Sequence, residues 1–174
     1  MTRSLHQVPT DDEILETSDF SPLGTSGLLI VQNIKAVSAF STIAILLNIS
    51  CDAGPGFNIS PSISVPQSLT PTPLQKSIPH EPYVDIIPFP AVRDRILSSL
   101  AVIDEVQLCM DLQEGAMVVW GDVAWDPLGW EISEDFTQKW WFLIDDQVVR
   151  TSNFWRRQRG EKPLTVPFLQ FVGR

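Results

Sequence analysis

The rhythm of hydrophobic and polar positions along this chain changes several times, and the changes mark its elements. Residues 1–26 are polar, with Asp11, Asp12, Glu13 and Glu16 ahead of any apolar run. That composition buries too little to order itself and predicts a flexible acidic tail. From Leu28 to Ile49 the chain turns apolar, which predicts a buried helix ending near Ser50, with Gly54, Pro55 and Gly56 beyond it. Gln32, Asn33 and Lys35 interrupt that run, so its uncharged part falls short of the roughly 20 residues a bilayer span needs. Prolines then recur at Pro61, Pro66, Pro71, Pro73, Pro79, Pro82, Pro88 and Pro90. Each removes a backbone donor and fixes φ, which predicts a long irregular connection rather than regular elements.

Within that connection Thr72-Pro73-Leu74-Gln75 predicts one helical turn capped by Thr72, and Tyr83, Ile86, Ile87 and Phe89 are expected to anchor the segment on the core. Pro90 opens a helix whose apolar stripe is Val92, Ile96, Leu100 and Ile103, with Arg93, Asp94 and Arg95 off it. A break near Asp104 predicts a second helix carrying Val106, Met110 and Leu112. Ala116 to Trp120 reads as a short strand for which no second strand is evident. Gly121, Asp126-Pro127 and Gly129 predict an ordered loop up to Trp130. Ser133 then caps a helix with Glu134 and Asp135 in its first turn and Phe136, Trp140 and Leu143 on one face. Asp145 and Asp146 interrupt. A last helix capped by Thr151 or Ser152 runs to Gly160, and the apolar tail through Leu164, Val166, Phe168 and Phe171 docks back. The fold class expected is mainly α: one compact helical domain over 27–174, with long proline-rich irregular connections and at most a short strand near 116–120.

Length and charge narrow the function. At 174 residues the chain suffices for one domain with a real core. A net charge of -9 argues against direct nucleic-acid binding, which needs a surplus of Lys and Arg. Two cysteines, Cys51 and Cys109, and two histidines, His6 and His80, supply too few ligands for a structural zinc site. No metal and no cofactor is expected. The acidic N-terminus is unlike a signal or transit peptide, so a nuclear or cytoplasmic location with reduced thiols is expected.

The candidate chemistry centres on tryptophan. Five of the six tryptophans fall between Val118 and Trp141, and a cluster this dense is either core or the wall of a site. Trp120, Trp125, Trp130 and Trp141 are the ligand-binding candidates, with packing as the plainer reading. His80 near Asp85 and Glu81 can form an acid–base pair, so His80 and Asp85 are the catalytic candidates. No nucleophile motif such as GxSxG accompanies them, and the enzyme reading stands second. Asp122, Asp126, Glu131, Glu134 and Asp135 read as a solvated acidic face rather than a cation site. Arg150 to Arg159 is where positive charge concentrates. On a helix beginning near Ser152, Trp155 should face the core, while Arg156 and Arg157 point outward as partner-binding candidates.

Four motifs in fixed order carry a resemblance: TPLQKSIPHEPYVDIIPFPAVRDRIL, LCMDLQEG, WGDVAWDPLGWEISEDFTQKWWFLIDD and TSNFWRRQRGE. Over roughly Leu28 to Pro163 the chain resembles a fungal domain of unknown function that commonly follows the basic leucine zipper of filamentous-fungal transcription factors. The resemblance implies a regulatory, protein-interacting module whose partner would be a protein such as a zipper-bearing relative. The basic region and zipper themselves are absent here, and with them any evident grip on DNA. A small-molecule binder or enzyme of fungal secondary metabolism, using the tryptophan stretch as its pocket, is the alternative.

Overall fold

In the computed structural model, which describes residues 33–50, 54–57 and 64–166, helices dominate and a small antiparallel sheet joins them. The helices are α1 (Ala36–Leu47), α2 (Pro90–Ser98), α3 (Glu105–Gln113), α4 (Glu134–Lys139) and α5 (Asp146–Gln158). The strands are β1 (Asn33–Lys35), β2 (Met117–Trp120) and β3 (Trp130–Ile132), in the spatial order β1-β2-β3. The expectation of at most one short strand is corrected: β2 pairs on both sides, Ile34 facing Val119 and Val119 facing Trp130. Both partners escape a periodicity reading because each has only three residues, and β3 is buried at all three.

Helix α1 buries Ala36, Ala39, Phe40, Ile43 and Leu47, spaced at the three- and four-residue steps of one face. Asn48, at φ 53, ends it in the left-handed conformation, and the Ile49 amide closes back on the Ala44 carbonyl. The helix is not buried all round, as the sequence suggested. Ile45 is 81% exposed and Val37 is also open to solvent.

Helix α2 starts at Pro90 as expected but stops at Ser98, so Leu100 and Ile103 pack from a turn beyond it. Ser133 caps α4 by accepting from the Phe136 amide. Helix α5 begins earlier than the sequence suggested. Asp145 caps it by accepting from the Val148 amide, so the two aspartates start the helix rather than interrupt it. Ser152, expected as a cap, is buried in mid-helix, where its hydroxyl accepts from the Ile132 amide at 3.0 Å and donates to the Val148 carbonyl. It thereby satisfies a donor that β3 would otherwise leave unpaired.

Gly129 permits the closest approach in the sheet region. A Cβ there would lie 2.8 Å from the Trp120 carbonyl oxygen, so any larger residue would push the turn Pro127–Gly129 off β2. Gly160 stops the last helix at φ 70, as its position predicted. Leu164 and Val166 are buried, and Leu164 exchanges two backbone hydrogen bonds with the Asn153 side chain. Phe168, Phe171, Cys51 and the acidic tail lie outside the described residues. Among the described residues, no helix is long and apolar enough to cross a membrane.

The core is closed. Trp130, at 0% exposure, stacks at a tilt on Phe40 at 5.0 Å, meets Phe89 edge-on at 6.2 Å and donates its indole hydrogen to the Ala124 carbonyl. The void left between α2, α3, the sheet and α5 holds about 10 Å³, near the lower limit for a single water.

Candidate functional site

The catalytic candidates His80 and Asp85 do meet, at 3.1 Å from Nε2 to Oδ1, but inside the protein. Nδ1 of His80 faces the Ile78 carbonyl at 2.6 Å. A carbonyl and a carboxylate both only accept, so both ring nitrogens are placed to donate and the geometry suits the imidazolium. The bond to Asp85 accordingly raises the His80 pKa above its ordinary value, against the opposing effect of burial. Gln75 Nε2 donates to the same Asp85 oxygen, while Gln75 and Thr72 form a reciprocal capping pair on the helical turn predicted there.

Arg93, placed at the surface by the sequence pattern, is 0% exposed. Its guanidinium donates to the carbonyls of Ser68, Thr70 and Ile87, and burial pushes its pKa down to about 10, which leaves it charged at neutral pH. These groups tie three strands of the proline-rich wrap together, and the remaining Asp85 oxygen and the Arg93 Nε have no hydrogen-bond partner. His80 and Asp85 line neither of the two hollows described below. The pair is buried and ties Gln75, Ile78 and Asp85 together as an internal staple.

The four tryptophans chosen as ligand candidates do not share a cavity. Trp130 is core. Trp125 is half-buried, its carbonyl held by the Ser68 hydroxyl at 2.6 Å. Trp141 lies at the surface, edge-on to Phe142. Trp120 lies on the outer side of the sheet, stacked on Trp155 with ring centroids 5.4 Å apart. Trp155, expected in the core, is half-buried instead and donates to the Leu128 carbonyl across that stack. Helix α5 starts six residues before Ser152, and its buried face is Val148, Val149, Thr151 and Ser152.

The arginines of α5 are largely engaged within the chain. Arg159 makes a two-pronged pair with Glu131, at 2.6 and 2.8 Å, and lies 4.9 Å from the Trp120 ring centroid. The same Glu131 accepts from the Trp120 indole at 2.7 Å, so this carboxylate belongs to no solvated acidic face. Hydrogen bonds that Arg159 donates to Glu131 and then to Glu161 hold its proton more tightly than usual. Arg156, expected to point outward, folds back onto the Lys162 carbonyl at 2.6 Å, with Glu134 and Glu161 within 4.0 Å. Arg150 lies beside Asp146. Arg157 is the one arginine of this helix that is exposed with no carboxylate partner among the described residues.

A hollow that the sequence reading missed opens between α1, the turn Pro82–Val84 and α3. Its volume is about 550 Å³, and a second hollow of about 210 Å³ adjoins it along α1, the two sharing Ala44, Tyr83, Ile86, Cys109 and Gln113. The Tyr83 hydroxyl donates to Glu105 at 3.1 Å, and burial followed by the Glu105 charge raises its pKa, which keeps it protonated. On the rim, Val106 and Met110 follow one another at helical spacing on α3 with exposures of 71% and 48%. The sequence places Val106 and Met110 on a helix, but spacing alone does not say whether such residues meet a core or a groove.

Residues 58–151, more than half of the chain, match a family model described as a domain of unknown function, DUF3425. The match ends where the arginine-rich motif of α5 begins, at Thr151. No curated protein and no solved structure matches the chain.

Proposed function

Because the chain belongs to the DUF3425 family, a fold with no assigned chemistry, we propose that it is a regulatory protein-interaction module that acts without gripping DNA itself. The observation that carries this reading is the state of α5. Of the four arginines between Arg150 and Arg159, all but Arg157 lie beside the chain's own carboxylates, Arg159 on Glu131, Arg156 near Glu134 and Glu161, and Arg150 near Asp146. A chain of net charge -9 then has few cations left for phosphates. The resemblance to the domain that follows fungal basic leucine zippers supports a role in transcriptional control of metabolic genes, in the nucleus or cytoplasm, with a zipper-bearing relative as partner.

A second reading has one observation in its favour. The hollow beside Tyr83 has the size of a small-molecule site, so a metabolite binder or an enzyme of secondary metabolism would use that hollow rather than the tryptophans.

Fluorescence anisotropy of labelled duplexes against the full chain tests the first reading. Binding should show no sequence preference and nothing tighter than the non-specific range of about 10⁻⁴–10⁻⁶ M at physiological salt. Sequence-selective retention of DNA by the chain alone would end it.

A further inference from the structure

The hollow between α1 and α3 is mainly apolar and acidic at its edges. Its walls include Ala44, Tyr83, Ile86, Val106 and Met110, and among the described residues the charged ones lining it are Glu81 and Glu105. Among the described residues no lysine or arginine lines either hollow. Asp104 and Glu114 bracket α3 at its two ends, so the helix that forms one wall carries only negative charge. Glu81 and Glu114 have no ion pair among the described residues.

Apolar side chains also stand open along both walls. On α1 Val37 lines the smaller hollow, and on α3 Val106 and Met110 line the larger. Isolated exposed apolar residues are ordinary, whereas open apolar residues that line one groove from two helices describe a docking surface. A groove between two helices, with a flexible thioether on its rim, suits the apolar face of a third helix.

Resting on the reading of the chain as an interaction module, we propose that this groove receives an amphipathic helix of a partner protein, apolar on one face and lysine- or arginine-rich along its edges. The apolar face packs on Ile86, Val106 and Met110. The basic edge meets Glu81 and the acidic ends of α3. Charge complementarity selects the partner, since an acidic-edged helix would bring like charges together beside Glu81 and Glu105.

The test uses the full chain and three fluorescein-labelled peptides: a Leu/Lys amphipathic helix, the same apolar face with glutamate edges, and a Leu/Lys scramble that is not amphipathic. The Lys-edged helix should bind saturably, with the other two at least about tenfold weaker. Val106→Asn with Met110→Asn should reduce its affinity by about tenfold or more, and Glu81→Lys should weaken it several-fold. All these positions are on the surface or rim, so unchanged circular dichroism and melting temperature identify a loss of binding rather than of fold. Equal binding of the scrambled or glutamate-edged peptide overturns the proposal, as does an unaltered affinity in the Val106/Met110 variant. Sedimentation velocity adds a further arm. A wild-type dimer that the same variant dissociates would assign the groove to a second copy and overturn the proposal too. A chain that ignores both peptides and DNA sinks the groove alone, whereas sequence-selective DNA binding sinks the underlying reading.

Discussion

Replacing Arg159 by alanine separates a committed cation from a free one. The Glu131 carboxylate is 9% exposed and the Arg159 side chain 31%. Breaking a fully buried pair by removing one member costs about 3–5 kcal/mol, because the other charge is left in a medium that solvates it poorly. The two members differ in how far they meet that condition. In Glu131→Gln the guanidinium can turn to water and the Trp120 indole keeps an acceptor, so the loss should be about 1–2 kcal/mol. In Arg159→Ala the carboxylate stays buried with the Trp120 indole as its remaining donor, and the guanidinium over the Trp120 ring goes too. That loss should be about 2–4 kcal/mol. Equilibrium urea denaturation of the full chain, followed by circular dichroism, measures both. At roughly 2–4 °C per kcal/mol for a chain of this size, Arg159→Ala should melt about 5–10 °C lower. If Arg159→Ala falls within about 0.5 kcal/mol of wild type, the pair contributes nothing and α5 has a free cation after all.

Other substitutions rank the remaining contacts. Trp130→Ala should cost about 3–5 kcal/mol and unfold much of the population at 37 °C, whereas the half-buried Trp155→Ala should cost about 1–2 kcal/mol, both read by denaturant midpoint. Arg156→Glu should lower the melting temperature, because it sets a carboxylate against Glu134 and Glu161, while Arg157→Glu should leave it nearly unchanged. His80 has a folded pKa above its ordinary 6.5, so its stabilisation is complete below about pH 6.5 and is lost as pH rises through the folded value. Melting curves across neutral pH should therefore fall on the alkaline side in wild type and lose that component in His80→Gln. Asp111 is shifted the other way, downward by Lys139 first and then by the Trp140 and Gln107 bonds. Its contribution is present above the usual carboxylate range, is lost as acid protonates it, and should vanish in Asp111→Asn.

Local chemistry was legible in the sequence wherever a single residue decides an outcome. Pro90 opening α2, Ser133 capping α4, the Thr72 turn and Gly160 stopping α5 all follow from one side chain acting on its own backbone. Long-range pairing was not legible. The sheet depends on Asn33–Lys35 finding Val118–Trp120, and three residues are too short a stretch to establish a period. The same limit misplaced Arg93, whose partners are carbonyls more than twenty residues away in sequence, and Arg156, whose partners come from α4 and the tail. It misjudged Trp155 as well: the ring shares the face of Val148 and Ser152, but its partner is Trp120 on the outer side of the sheet rather than the core. The acid–base reading of His80 and Asp85 was right about their contact and silent about their burial, and burial decides whether such a pair is a staple or a site.

The central claim, that the face formed by α1 and α3 is the surface by which this domain recognises its partner, is tested most directly by hydrogen–deuterium exchange of the full chain with and without the saturating Lys-edged helix. Exchange should slow in Ala36–Leu47 and Glu105–Gln113 and stay unchanged in Asp146–Gln158. Protection confined to Asp146–Gln158, or none at a peptide concentration that saturates anisotropy, would contradict it.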